Sequence, residues 1–372
     1  SSADGPNKPI PANHSHQYML WYRVTSVASP LTPLRDIERA AIRIHGTVVR
    51  TPLVDVSRHV GRSFRLKAEN LQMAGSFKLR GASNMMLGLS SDERQRGVVT
   101  YSSGNHAQAV AYSARLLGIS ALVVMPVTAP AVKVLGTKAF GAEVVMEGTT
   151  SAERKARAEY EADVRGLTVV PPFDHPKIIA GQGTVGLEIV EDCPDVDCVY
   201  VPIGGGGLIA GVSAAVKQTC PHARVIGVEP AGAAKMLASL YEGRPRTLSS
   251  VKSVADGLLP VRPGDLTFLH VKEFVDTVVT VKDDVIERAV AWLFRSAKLV
   301  VEPSGAVTVA AALAATGSSN SETCVAVVSG GNISGSALSK ILNRNDSFEA
   351  SNFSDQQISD SITVKKAEKS KL

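Results

Sequence analysis

From residue 34 to residue 342, short apolar runs rich in β-branched residues alternate with stretches of helical period. No other feature constrains the fold as strongly. Residues 98–101, 121–125, 143–146, 198–203, 224–229 and 324–329 read as strands, and 106–117, 132–139 and 208–219 as helices. Apolar strands too short to carry a polar face, each followed by a helix, belong in parallel sheets covered on both sides. Ligands of such sheets bind in the loops at the carboxyl ends of the strands.

Composition narrows the function. The 372 residues suffice for one large or two moderate domains, and 44% hydrophobic with 20% charged residues can bury an ordinary core. A net charge of +5, dispersed along the chain and accompanied by only 5% aromatics, argues for solubility and against nucleic-acid binding. No apolar run approaches the roughly 20 residues that span a bilayer. The four cysteines, Cys193, Cys198, Cys220 and Cys324, lack metal-ligand spacing and read as buried thiols. Residues 1–31 show no periodicity and read as a flexible arm. Residues 344–372 are polar and serine-rich, and are expected to leave the globule as a flexible tail.

Four loops concentrate small and polar residues: 75–81, 102–106, 204–207 and 329–332. Gly204, Gly205, Gly206 and Gly207 stand between a strand and a helix. A backbone free of side chains there can turn several N–H groups onto one anion, aided by the helix dipole. A phosphate site follows, but not whose phosphate. Gly205-x-Gly207-x-x-Ala210 with Glu229 ending the next strand also fits a dinucleotide fingerprint, and so a dehydrogenase. Leu208 and Ile209 exclude a P-loop. Lys78 is predicted in the first turn of a helix capped by Ser76, where the dipole favours the neutral amine that Schiff-base chemistry needs.

The segment Gly75-Ser76-Phe77-Lys78-Leu79-Arg80-Gly81-Ala82 resembles the cofactor-lysine motif of fold-type II pyridoxal-phosphate enzymes, in the serine/threonine dehydratase and serine racemase branch. Ser102-Ser103-Gly104-Asn105-His106 is similar to that family's asparagine loop. The glycine tetrad is similar to its phosphate loop, and Ser329-Gly330-Gly331-Asn332 to its pyridine-nitrogen loop. Matches at 179–184, 255–257 and 301–305 extend the likeness in order from residue 51 to residue 332.

The resemblance implies a tryptophan synthase β-like α/β fold of two domains, each a mainly parallel sheet flanked by helices. The large cofactor-binding domain would comprise 32–92 and 175–343, and the small domain 93–174. It implies pyridoxal 5′-phosphate bound covalently to Lys78 and held by Phe77, Asn105, Gly204–Gly207, Glu302 and Ser329. The substrate carboxylate would be met by Ser102, Ser103, Gly104 and His106, with Arg154 assisting. His106 could equally serve only to begin its helix, and Arg154 to line a solvated helix face. The expected reaction is ammonia-lyase chemistry: Lys78 takes the α-proton of threonine, serine or a related β-hydroxy amino acid such as threo-3-hydroxyaspartate, and water is lost. Ser103 supplies the opposite-face acid/base in the racemase branch, so racemisation is the alternative.

Racemase-type members bind a divalent cation through a glutamate, a backbone carbonyl and an aspartate. Here Glu229 and Ala233 match, but Lys235 replaces the aspartate, so no metal is expected there. A homodimer is expected. The terminal Ser370-Lys371-Leu372 reads, in a eukaryote, as an address for the peroxisomal import receptor, and otherwise the location would be cytoplasmic.

Overall fold

The structure, a computed structural model, describes residues 30–102, 104–129, 131–315, 322–345 and 358–363. Ser103, the arm before residue 30 and the terminal Ser370-Lys371-Leu372 lie outside them.

Two sheets organise the chain. After α1 (Leu34–Ile44) come β1 (Leu53–Asp55), α2 (Ser57–Val60), β2 (Phe64–Ala68), α3 (Lys78–Leu87) and α4 (Ser91–Arg96). Four βα units follow: β3 (Val98–Tyr101) and α5 (Asn105–Leu117), β4 (Ala121–Met125) and α6 (Ala131–Ala139), β5 (Glu143–Met146) and α7 (Ser151–Arg165), then β6 (Thr168–Val169) and α8 (Pro176–Asp192). The chain continues through β7 (Cys198–Pro202), α9 (Gly207–Thr219), β8 (Arg224–Pro230), α10 (Lys235–Glu242), α11 (Asp265–Phe274), β9 (Thr277–Val281), α12 (Asp283–Arg295) and α13 (Pro303–Ala314). It closes with β10 (Cys324–Val328), α14 (Gly335–Arg344) and β11 (Ile358–Thr363). Strands β3 to β6 form a parallel four-stranded sheet in the order β5-β4-β3-β6. The remaining seven lie in the order β1-β2-β10-β7-β8-β9-β11, parallel except for β1 and β11 at the two edges.

Strand periodicity explains why both faces of the large sheet are dry. In β7, Cys198 and Tyr200 point to a core shared with α12 and α13, while Val199 and Val201 point to one shared with α8, α9 and α11. In the small sheet, Val98 and Val123 pack against α3 and α5, and Val99, Leu122 and Val124 against Ala158 of α7. All four cysteines are buried and unpaired. Among the described residues, no helix is long and apolar enough to cross a membrane.

Two local expectations need correction. Ser76 does not cap α3: the N-cap residue is Phe77, and Ser76 Oγ is buried without a hydrogen-bond partner. The reason is that Ser76 pairs its backbone with Gly330 in an antiparallel bridge, which delays the helix start. Residues 358–363 do not leave the globule but add β11 antiparallel to β9, because Ile358, Ile362 and Thr363 supply β-branched residues that the serine-rich composition hides.

Candidate active site

The strand ends place the predicted loops side by side. The loop after β10 is clipped to the approach to α3 by Phe77 N donating to Ser329 O (3.1 Å) and Gly331 N to Gly75 O (2.9 Å). Lys78 therefore starts its helix beside Ser329. Its half-buried amine donates to Pro172 O at 2.7 Å, and burial lowers its pKa to about 8. The Phe77 ring centroid lies 5.2 Å from that amine. Behind them, Arg80 is wholly buried. It donates to Glu69 from Nε (2.8 Å) and Nη2 (2.7 Å), and to Glu188 from Nη1 (2.6 Å) and Nη2 (2.8 Å). Lys67 completes a balanced cluster by donating to Glu188 at 2.6 Å.

Asn105, the first residue of α5, ties three loops together. Its Nδ2 donates to Glu302 Oε1 and its Oδ1 accepts from Asn332 Nδ2 (2.9 Å), which also donates to Ala74 O (3.0 Å). Glu302 is the N-cap residue of α13, fixed by Pro303 at the first helical position. Burial, with the charge of Asp256 nearby, raises its carboxyl to about 7. Ser329 Oγ is buried and donates to Ser304 O at 3.3 Å.

The glycine loop is a bare backbone cradle at the start of α9. Gly206 has φ +100°, and a Cβ there would strike Thr267 Oγ1 at 2.6 Å; one on Gly205 would strike the Phe173 ring at 2.4 Å. The loop is held from outside: Gly205 O accepts from Gly264 N (3.1 Å) and Thr267 Oγ1 (2.7 Å). Asp174 in turn accepts from Asp265 N (2.9 Å) and Thr267 N (3.1 Å). Thr267 stands in no motif, and Phe173 and Asp174 lie in a run, 171–176, that resembles dehydratases without pointing to a role for either.

His106 is buried, and burial together with the Lys78 ammonium lowers its pKa to about 3, so the ring is neutral. Nε2 donates to Val170 O (3.1 Å), which leaves Nδ1 an acceptor without a partner. Such a ring has no N–H left to donate to a carboxylate. Arg154 is not on a solvated face. It is 8% exposed, donates to Thr149 O (3.2 Å) and Ser151 Oγ (3.0 Å), and its Nε has no partner. Thr150 and Glu153 form the capping box that starts its helix at the carboxyl end of β5. Ser102 Oγ accepts from Gly104 N at 3.2 Å. Lys133 pairs with Asp256 and comes within 3.5 Å of where a Gly104 Cβ would stand.

Glu229, which a dinucleotide would need at its ribose, is fully buried and accepts from Met236 N and Leu237 N. A low-pKa amine, a side-chain-free anion cradle and a buried serine hydroxyl are the groups that an enzyme holding a phosphorylated aldehyde cofactor through lysine would need. Residues 44–330 match the family described as pyridoxal-phosphate dependent enzyme, and the chain belongs to that family. Over 314 residues it is 45% identical to the L-threonine ammonia-lyase of Thermotoga maritima, covering 84% of this chain and 78% of that one. The structure of maize serine racemase matches with a TM-score of 0.80 at 38% identity, over 84% of this chain and 97% of the other. The processed form of threonine deaminase isoform 2 from Solanum lycopersicum matches with 0.78 at 39%, over 84% and 95%.

Proposed function

We propose that the protein is an ammonia-lyase that eliminates water from L-threonine, L-serine or a related β-hydroxy amino acid, releasing an enamine that water then hydrolyses to a 2-keto acid and ammonia. The observation that carries this reading is the Lys78 amine, lowered to about 8 and set beside Ser329, in a chain 45% identical to an L-threonine ammonia-lyase. Bound pyridoxal phosphate supplies the electron sink that acidifies the substrate α-C–H. Gly204 to Gly207 would hold its phosphate, Asn105 and Ser329 would hydrogen-bond its ring, and Phe77 would exclude water from the site. The Lys78 amine moves the α-proton, and backbone N–H groups of residues 102–106 hold the substrate carboxylate. A serine at 329, unlike a carboxylate, would leave the ring nitrogen unprotonated, which suits prompt loss of the β-hydroxyl.

A second reading, racemisation, rests on Ser103 in the 102–106 loop and on the likeness to maize serine racemase. A hydroxy amino acid bearing a second carboxylate is a further substrate class, supported by Lys133 beside that loop. A panel of β-hydroxy amino acids, scored for keto acid and for inversion on wild type, Lys78→Ala and Ser103→Ala, separates the three. Keto acid from none of them overturns the lyase reading.

The chain is also proposed to pair with a second copy. Val49, Leu71, Met73 and Val300 are exposed apolar side chains on segments joined by Asn70 Nδ2 to Val300 O and Val49 N to Gln72 Oε1. A monomer by light scattering rejects this. Delivery to peroxisomes through the import receptor is proposed from Ser370-Lys371-Leu372 alone, and a fluorescent fusion that stays punctate without them rejects it.

A further inference from the structure

Lys235 opens α10 but turns inward, and both it and Glu229 are fully buried. Its Nζ donates to Ile203 O (2.9 Å), Ala233 O (3.0 Å) and Leu258 O (2.9 Å), and stands 3.2 Å from Glu229 Oε1. Three carbonyls match the three protons of an ammonium, and the carboxylate balances its charge. Glu229 is itself fixed, accepting from Met236 N (2.9 Å) and Leu237 N (2.8 Å). Neither partner can rotate away.

As a stabilising device the pair is a poor choice. A cation at a helix start opposes the dipole, and burying two charges costs more than packing two apolar side chains. What the ammonium joins gives it a purpose. Ile203 leads directly into Gly204, and Leu258 ends a turn whose Gly257 O would lie 3.3 Å from a Gly204 Cβ. The glycine loop has no side chain of its own to anchor it, and Lys235 grips its entry from below.

We propose that Lys235 is a positioning residue whose ammonium is a built-in cation: it occupies an oxygen cage suited to a dissociable metal ion and fixes the glycine loop for the cofactor phosphate. Retention of the cofactor is then independent of divalent ions. The proposal rests on the cofactor assignment and not on the substrate, so a failed substrate panel leaves it standing.

The test uses the holoenzyme and reads cofactor dissociation by equilibrium dialysis, thermal stability, and metal content by elemental analysis. Wild type should hold no stoichiometric metal and change by less than about twofold in cofactor affinity with EDTA, magnesium or calcium. Lys235→Met, which keeps the stem and loses the charge, and Lys235→Ala, which opens the cage, should each weaken cofactor binding about tenfold or more. Ethylammonium or calcium ion should restore binding to Lys235→Ala and not to Lys235→Met, a selectivity that a merely structural role would not produce. Divalent-ion dependence of wild type, unchanged affinity in Lys235→Ala, or failure of both cations to rescue it overturns the proposal. Should both variants fail to fold, Glu229→Gln removes the counter-charge at constant volume. It must then weaken cofactor binding about threefold or more, and unchanged affinity overturns the proposal.

Discussion

Asn105 Nδ2 donates to Glu302 Oε1 at 2.5 Å, joining the start of α5 to the start of α13 across 197 residues of sequence. The small sheet thereby reaches the large one through a carboxyl that burial and Asp256 raise to about 7. The folded protein holds a proton on Glu302 at pH values where the unfolded chain, near its ordinary 4.5, has released it. Stability from this group is therefore greatest below about pH 4.5 and declines as pH rises towards 7, by roughly 1.4 kcal/mol per unit at most. Glu302→Gln should flatten that part of the stability profile, as measured by denaturant melts at several pH values. An unaltered slope would refute the assignment.

Lys78 makes one hydrogen bond, to Pro172 O, and no ion pair among the described residues. Lys78→Ala should therefore fold, with thermal stability close to wild type. It should lose at least about a thousandfold in turnover, since both the covalent link and the α-proton carrier go with the amine. Reducing the wild-type holoenzyme with borohydride should attach the cofactor to the peptide containing Lys78, which mass spectrometry can locate.

Gly206→Ala meets both strain and collision, with φ at +100° and Thr267 Cβ 2.7 Å from the added carbon. A destabilisation of about 1–3 kcal/mol is expected, with cofactor affinity falling as well. Gly335→Ala, at a helix start with open space around it, is the control and should stay within about 0.5 kcal/mol.

Arg80→Met would strand Glu69, which is fully buried and, among the described residues, otherwise hydrogen-bonded by Thr51 and Gln72, with the Lys67 charge nearby. Leaving a buried carboxylate without its cation should cost about 3–5 kcal/mol in chemical denaturation. Adding Glu69→Gln to it should recover part of that loss, and strict additivity of the two would argue against the coupling.

Much of this was legible in the residues. The βα alternation predicts the parallel sheets, and the four loops lie together at the strand ends. What escaped has physical causes. Strand β2 reads Phe-Arg-Leu-Lys-Ala, and its Lys67 looks solvent-facing until Glu188 and Thr51 O, supplied from elsewhere in the chain, permit its burial. Strand β1 is only three residues long and pairs antiparallel, outside the pattern that reveals the others. Lys235 reads as the loss of a metal ligand, and only the three carbonyls around it reveal a replacement. The supports of the glycine loop, Thr267 and Asp174, lie 62 and 31 residues from Gly205 in opposite directions and carry no local signature.

Strand β10 sits between β2 and β7, although it is the tenth of the eleven strands among the described residues. During synthesis β2 and β7 leave the ribosome long before the strand that separates them. A growing chain must keep that slot open, or wrongly close β2 on β7, until residue 328 has emerged. Ser329 arrives with it, so the nascent chain has no complete cofactor site to draw on for stability until its large sheet has been filled at the centre.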